Sequence, residues 1–340
     1  MHGGSRAVGA TRCGAVRVTT APALDGFGIA IGHATDERGA TGCTVVRGID
    51  GPLRASAFVL GRATGTREVS LLAPDAMVDR VDAILLSGGS AYGLDAAAGV
   101  MRWMEERKRG HAIGGGVVPI VPAAVVFDLA PLGAFAARPT PEMAYAACES
   151  AVSQGVAEGS VGAGTGCTVG KVMGFAHAMK GGVGIAVEGP AREGGVRAAA
   201  IAVVNAFGHV RAADGSILAG ARLPDGGYAD TERVLMHADA SAFAGTNTTL
   251  CVVALDVPLS KTELHQVARA ASAALHRRLG PAGTSYDGDV VFALSPMTGA
   301  RAPLVQCEAF AAAALERAIE RAVRMAKGRD GIPGLADAAN

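Results

Sequence analysis

Asn247-Thr248-Thr249-Leu250-Cys251-Val252-Val253-Ala254-Leu255-Asp256-Val257-Pro258-Leu259-Ser260-Lys261 is the stretch on which the reading of this chain turns. Leu250–Leu255 is a continuous apolar run of strand length, as expected where both faces of a sheet are covered. Ser260 stands three residues before Glu263 in the capping-box relation, which opens a helix expected over Thr262–Arg278. Upstream lies Arg222–Asn247, polar, rich in Gly and Ala and without clear periodicity. Loops longer than about 12–15 residues in compact domains are usually functional or disordered. A dispensable loop that ends in a hydroxyl residue at the head of a core strand is the arrangement needed to turn an internal threonine into a new N-terminus. Thr248 Oγ would attack the Asn247 carbonyl, and hydrolysis of the ester would free a Thr248 α-amine. That amine titrates near about 7.7–8.0 and can act as base for its own hydroxyl. The same residues also fit an ordinary Asn-Thr-Thr turn before a strand.

Further strands are expected at Thr44–Val46, Ala83–Leu86, Val183–Val187, Ala198–Val204 and Val290–Leu294. Further helices are expected at Gly93–Arg109, Glu142–Gln154 and Glu308–Lys327. In the last of these Leu315, Ile319 and Val323 recur every fourth residue, and Glu320 and Arg324 form an i,i+4 pair. Helices and near-continuously apolar strands together indicate an α/β or α+β layered domain. No internal repeat, low-complexity stretch or composition shift marks a second one.

The 340 residues carry 31 basic and 31 acidic side chains, so there is no electrostatic footprint for nucleic acid or an anionic membrane. No apolar run reaches the roughly 18 residues of a membrane span. The N-terminus lacks the compact apolar stretch of a signal peptide, and a cytoplasmic location is the expectation. Cysteines at 13, 43, 148, 167, 251 and 307 form no C-x-x-C pair, and they are expected to behave as small buried hydrophobes. Glycine is the outlier at 48 residues, about twice the ordinary usage of about 7%. Its clusters at 88–93, 162–170 and 181–184 are expected to be turns that bring backbone amides towards a buried threonine.

Gly162–Lys171, GAGTGCTVGK, misses the phosphate-loop pattern twice: Thr165 stands at the first glycine position, and Val172 where Ser or Thr would bind magnesium. Lys171 among small residues presents a cation to a pocket, or merely closes a tight turn. Ser87–Asp95, SGGSAYGLD, joins a strand to a helix, either an anion-binding junction of backbone N–H groups or a packing turn. No nucleophile elbow is present, and the eight histidines show no ligand spacing. Asp287 and Asp289 point to one side of an extended chain, which suits orienting an ammonium or hydroxyl; a solvated turn is the alternative. Asn205 ends an apolar strand, as a satisfied core amide or an oxyanion donor.

Taken together, IGHATD (31–36), TGCTVV (41–46), LSGGSAYGLDAA (86–97), VPIVPAAVVFDL (118–129), GAGTGCTVGK (162–171), VVNAFG (203–208), NTTLCVVALDVPLSK (247–261) and DGDVVFAL (287–294) resemble the self-processing N-terminal-nucleophile peptidases of family S58. That family includes β-peptidyl aminopeptidases, a D-/L-aminopeptidase and the endo-type 6-aminohexanoate-oligomer hydrolase. The segments follow in family order over most of residues 25–325. The resemblance implies a four-layer α/β/β/α sandwich of the kind shared with ornithine acetyltransferases. It implies one catalytic domain over 1–340, cut between Asn247 and Thr248 into an α chain, 1–247, and a β chain, 248–340. The αβ protomers would form homo-oligomers, tetramers or larger. By the same resemblance Thr248 is the nucleophile, Asn205 serves the oxyanion, and Lys171 lowers the amine pKa. Asp287 and Asp289 hold the Thr248 ammonium or hydroxyl, and Gly89, Ser90 and Tyr92 bind substrate. Aminopeptidase members carry serine and glutamate where this chain has Asp287 and Asp289, which places it nearer the oligomer-hydrolase branch. The substrate is then a small peptide or amide, cleaved through an acyl-enzyme without metal or organic cofactor. An acyltransferase of the ornithine acetyltransferase type, and an uncleaved binding or assembly protein, are the alternatives.

Overall fold

The computed structural model describes residues 21–190, 194–237 and 247–337. The apolar run begins at the threonine itself: the strand is Thr248–Leu255, and all eight residues are buried. It lies inside a six-stranded sheet in the order Gly182–Glu188, Ala198–Asn205, Thr248–Leu255, Val290–Ser295, Leu53–Val59, Arg80–Val81. The Thr248 strand runs antiparallel to Ala198–Asn205, with Asn205 opposite Thr248, and parallel to Val290–Ser295, with Leu250 opposite Val290. A second sheet is built from Ile29–Asp36, Thr41–Gly48, Ala83–Ser87, Ala123–Val125 and Thr66–Arg67, in that order.

Strand side chains alternate between faces, and here both faces are apolar. Ile201, Val203, Leu250, Val252, Val290 and Phe292 face the second sheet, joined there by Ile29, Ile31, Val46, Ile84 and Leu86. Ala200, Ala202, Cys251, Val253, Val291 and Ala293 face the other way, onto Leu264, Val267, Leu315 and Ile319 of the C-terminal helices. Beyond the second sheet, Cys43, Val45, Leu85 and Ala123 pack on Val100, Trp103, Met104, Ala144 and Ala147. Three cores between four layers make the α/β/β/α sandwich.

The helices differ from their expected bounds for local reasons. Gly93–Arg109 is a 3-10 segment, Ser90–Ala96, running into an α-helix, Ala97–Glu106. Ser90 has φ 51°, which enters the segment through a left-handed turn. Glu142–Gln154 is Pro141–Glu149, capped by Thr140 with proline in its first turn. Thr262–Arg278 is two helices, Lys261–Ala271 and Ala273–Arg278, and Ser260 and Glu263 form the full capping box. The last helix starts four residues early, as Leu304–Arg324, and the Glu320–Arg324 pair closes at 2.7 Å.

Arg222–Asn247 is not all loop: Thr231–His237 is a helix whose first amides, of Glu232 and Arg233, donate to Asp230 Oδ1. At seven residues it is too short to show a period. Residues 238–246 lie outside the described residues. Cys43, Cys148, Cys167, Cys251 and Cys307 are buried and unpaired as thiols, as expected, and Cys13 lies outside the described residues. Among the described residues no helix is long and apolar enough to cross a membrane.

Candidate active site

Strand register assembles the site. Asn205 and Thr248 are partners at one end of the inner sheet. On the other side Asn247 bridges Asp287, just ahead of the parallel strand Val290–Ser295. Asn247 and Thr248 are 4% and 6% exposed, so the bond between them is buried. Its carbonyl oxygen accepts from Gly288 N–H at 3.0 Å and from Thr248 Oγ at 2.6 Å. The hydroxyl therefore lies against the carbonyl group it would attack, and an N–H donor already sits where negative charge would develop.

Gly288 permits this approach because it has no side chain. A Cβ there would fall 2.6 Å from Thr248 Oγ and 2.9 Å from the Ala63 carbonyl oxygen. The backbone around it is braced by a neighbouring segment: Asp289 O accepts from Leu60 N and Gly61 N at 3.0 Å each, and Asp287 O from Ala63 N at 2.9 Å.

Asp287 and Asp289 are both 3% exposed, which removes the solvated-turn reading. Asp289 accepts from Thr249 N at 2.7 Å and Gly283 N at 2.9 Å; Asp287 accepts from Thr284 N at 2.7 Å. Burial, with the Asp287 charge alongside, pushes the Asp289 carboxyl well above its ordinary value. The bond from Thr249 N fixes the backbone just after Thr248, the other two tie the carboxylates to the 283–284 segment, and the Thr248 hydroxyl itself is held by the Asn247 carbonyl.

Asn205 is 1% exposed, and its amide orientation is set at both ends. Oδ1 accepts from Thr168 N and Lys171 Nζ, each at 3.0 Å, and Nδ2 donates to Phe127 O at 2.9 Å. Lys171 Nζ also donates to Asn205 O at 3.1 Å. Burial, opposed by Cys167 and Asp287, holds the Lys171 ammonium down to about 7. Lys171, Asn205, Thr248 and the Asp287–Asp289 turn thus lie on adjoining segments.

The trio expected to bind substrate, Gly89, Ser90 and Tyr92, is one step removed. Gly89 N donates to Asp128 Oδ1 at 2.6 Å and Ser90 N to Val126 O at 2.9 Å, on either side of Phe127, whose carbonyl holds Asn205. Asp128 also takes the Thr41 hydroxyl at 2.7 Å, and burial pushes its carboxyl up to about 6. Tyr92 is 55% exposed under the Arg138 guanidinium, 3.5 Å from its ring centroid, and its described contact is with that residue and not with the cluster around Thr248.

The sequence reading missed four contributors. They are the amides of Gly288 and Thr168, the Phe127 carbonyl, and Lys180. Lys180, 1% exposed, donates to Thr165 O at 2.8 Å and Cys167 O at 2.6 Å, and burial lowers its pKa to about 8. It clasps the Gly162–Lys171 turn from which Thr168 and Lys171 reach Asn205. Backbone carbonyls there meet an ammonium, which is not how a phosphate cradle is built. Of the glycine clusters, 162–170 supplies an amide to Asn205 and 88–93 one to Asp128. The amide at Asn247 itself comes from Gly288, outside all three clusters.

A cavity of about 240 Å³ adjoins Asn247, lined further by Phe207, Leu235, Pro281, Thr284, Ser285 and Tyr286. Donor atoms of His209, Asp230 and Glu232 lie within 4.8 Å of one another, a spacing that suits a metal ion. Those groups are already engaged: His209 Nδ1 by Thr231 N at 3.1 Å, Asp230 by the helix amides, and Glu232 by Arg211.

Comparison with known proteins gives the family and the fold. A family model described as Peptidase family S58 matches residues 24–336. An uncharacterized aminopeptidase of Mycobacterium bovis is 45% identical over 249 residues, 71% of this chain and 68% of that protein. A 6-aminohexanoate-oligomer endohydrolase of Paenarthrobacter ureafaciens is 30% identical over 273 residues, 79% and 73% of the two chains. Among solved structures, the L-aminopeptidase D-Ala-esterase/amidase of Ochrobactrum anthropi, described as a variant of the Ntn-hydrolase fold, superposes with a TM-score of 0.67. That match is at 19% identity, over 94% of this chain and 92% of the other for a fold of the same class.

Proposed function

This chain belongs to peptidase family S58 and is a hydrolase of amide bonds; we propose that it makes its own nucleophile by cutting the Asn247–Thr248 bond. One observation carries the proposal: the Thr248 hydroxyl and the Gly288 N–H converge on the buried Asn247 carbonyl. Thr248 Oγ attacks the carbonyl carbon, Gly288 N–H stabilises the oxyanion, and the C–N bond breaks as the Thr248 nitrogen takes up a proton. Water hydrolyses the resulting ester. The products are an α chain, 1–247, and a β chain, 248–340, that stay together as one catalytic unit.

The freed α-amine then serves as base for Thr248 Oγ, which attacks the carbonyl of a small peptide or amide, and the acyl-enzyme ester is hydrolysed. Asn205, fixed by Thr168 and Lys171, supports the oxyanion, and Asp287 and Asp289 set the position of the new ammonium. Below about pH 7 Lys171 is charged and lowers the amine pKa by like-charge proximity; above that it is neutral and acts as the partner of Asn205. A threonine followed by the Asp287–Asp289 pair favours linear amide oligomers alongside aminoacyl amides, in keeping with the names of the two relatives above. A homo-oligomer of αβ units is part of the same reading.

The Thr248→Ala variant tests it. It is expected to remain one chain and to lose amide hydrolysis, and processing that persists would move the nucleophile elsewhere, Thr249 first. Transfer of the acyl group to an added amine in preference to water would replace hydrolase by acyltransferase.

A further inference from the structure

We propose that the cavity beside Asn247 is the pocket for the acyl residue of the substrate, and that it selects an uncharged, apolar side chain of about the size of leucine. This rests on the reading that one Thr248 oxygen attacks both the Asn247 carbonyl and the substrate carbonyl. If the attacking atom and the Gly288 N–H serve both reactions, the residue that supplies the attacked carbonyl occupies one place in both. In the uncut chain that residue is Asn247, and its surroundings are the surroundings of the acyl residue.

Among the described residues the walls are Phe207, Leu235, Pro281 and Tyr286, with Thr284 and Ser285, and none of these six carries an ionised side chain. An Asp or Lys side chain placed there would give up its hydration for no opposite charge among those residues. At about 240 Å³ the cavity lies below the roughly 300–1,000 Å³ of pockets that hold drug-sized ligands, so it takes one side chain and not a run of residues. Asn247 is itself a poor occupant. Its Oδ1 is buried without a hydrogen-bond partner, a mismatch that an apolar side chain lacks. Once the bond is cut, Asn247 is a chain end, and the cavity passes to the substrate. In the reaction the acyl carbon bonds to Thr248 Oγ, its C–N bond breaks, and the leaving amine departs with the proton taken from the hydroxyl.

The test measures kcat/KM of the self-cleaved protein on aminoacyl p-nitroanilides whose acyl residue is alanine, leucine, phenylalanine, aspartate or lysine. Leucyl is expected to exceed aspartyl and lysyl at least tenfold. Leu235→Trp, which fills the cavity, should lower the leucyl-to-alanyl ratio about tenfold or more, as loss of a few methylenes' worth of space does in an apolar pocket. Tyr286→Ala, at a half-exposed position and so safe for folding, should raise activity on a phenylalanyl substrate relative to leucyl. A self-cleaved, active protein that accepts charged acyl residues equally, or whose ratios neither variant moves, overturns the pocket assignment alone. A protein that stays whole and hydrolyses none of the series overturns the reading beneath it as well.

Discussion

At Gly288 a single methyl group separates an open approach from a blocked one, because a Cβ would fall 2.6 Å from Thr248 Oγ. Gly288→Ala is therefore expected to slow appearance of the cut chains by about 100-fold or more, the scale of losing one oxyanion donor, with the far-UV CD spectrum unchanged. A gel time course measures it. Lys171 carries the opposite burden, since it is held to about 7 from 10.5 by burial. The unfolded chain binds this proton up to pH 10.5 and the folded chain only below about 7, so the native state gains stability as pH rises through that window. Lys171→Met is then expected to melt above the parent at pH 6, with the gap closing towards pH 10; a variant that melts lower at pH 6 contradicts the assignment. Thr248, Asn205, Lys171 and the two aspartates were legible in the sequence because each combines an unusual residue type with an apolar or glycine-rich setting. Gly288 N–H, Thr168 N–H and the Phe127 carbonyl were not, because a backbone group looks the same at every position and only the fold gives it a target. Tyr92 stands in a matching motif, and its half-exposed ring lies under the Arg138 guanidinium, a neighbour that the motif does not announce.

At the scale of elements, a strand buried on both faces is the unit that carries the site. In Val290–Ser295, Phe292 points to the second sheet while Val291 and Ala293 point to the helices. Phe292→Ala leaves a void in the core between the sheets and should cost about 3–5 kcal/mol, read by denaturant unfolding. A loss under about 1 kcal/mol would mean that the two sheets are not packed on one another there. Six of the strands were visible as apolar runs. Ile29–Asp36 and Leu53–Val59 were not, because glycine, histidine, serine and arginine interrupt them, and only pairing with Thr41–Gly48 and Val290–Ser295 defines them. Helix ends moved where a local device overrode periodicity. Ser272, whose hydroxyl donates to Arg269 O at 2.7 Å, divides the helix expected as Thr262–Arg278, and the left-handed Ser90 makes the start of another 3-10. The helix Thr231–His237 buries only Thr231 of its seven residues, so it offers the sequence almost no apolar stripe.

For the whole molecule, the four layers are what would let the proposed cut at the centre be made without loss of the fold. Thr248–Leu255 is hydrogen-bonded on both sides, by Ala198–Asn205 from before the proposed cut and by Val290–Ser295 from after it. The part after the proposed cut also supplies the helices Lys261–Ala271 and Leu304–Arg324, which cover strands from both sides of it through one continuous core. The two proposed products would thus be interleaved, and breaking the one bond would leave every layer in place while exposing an amine beside Asn205 and Asp289. The layer order followed from the resemblance; the mixture of helices and apolar strands alone indicated only an α/β or α+β layered domain. Which face of each strand meets which layer did not, since both faces are apolar. Intact-mass measurement of the purified protein bears most directly on the central claim. Fragments of about 25 and 9 kDa, the 33.9 kDa chain divided in proportion to length, are expected, the smaller beginning Thr248-Thr249-Leu250-Cys251. A single 33.9 kDa species after prolonged incubation would contradict it.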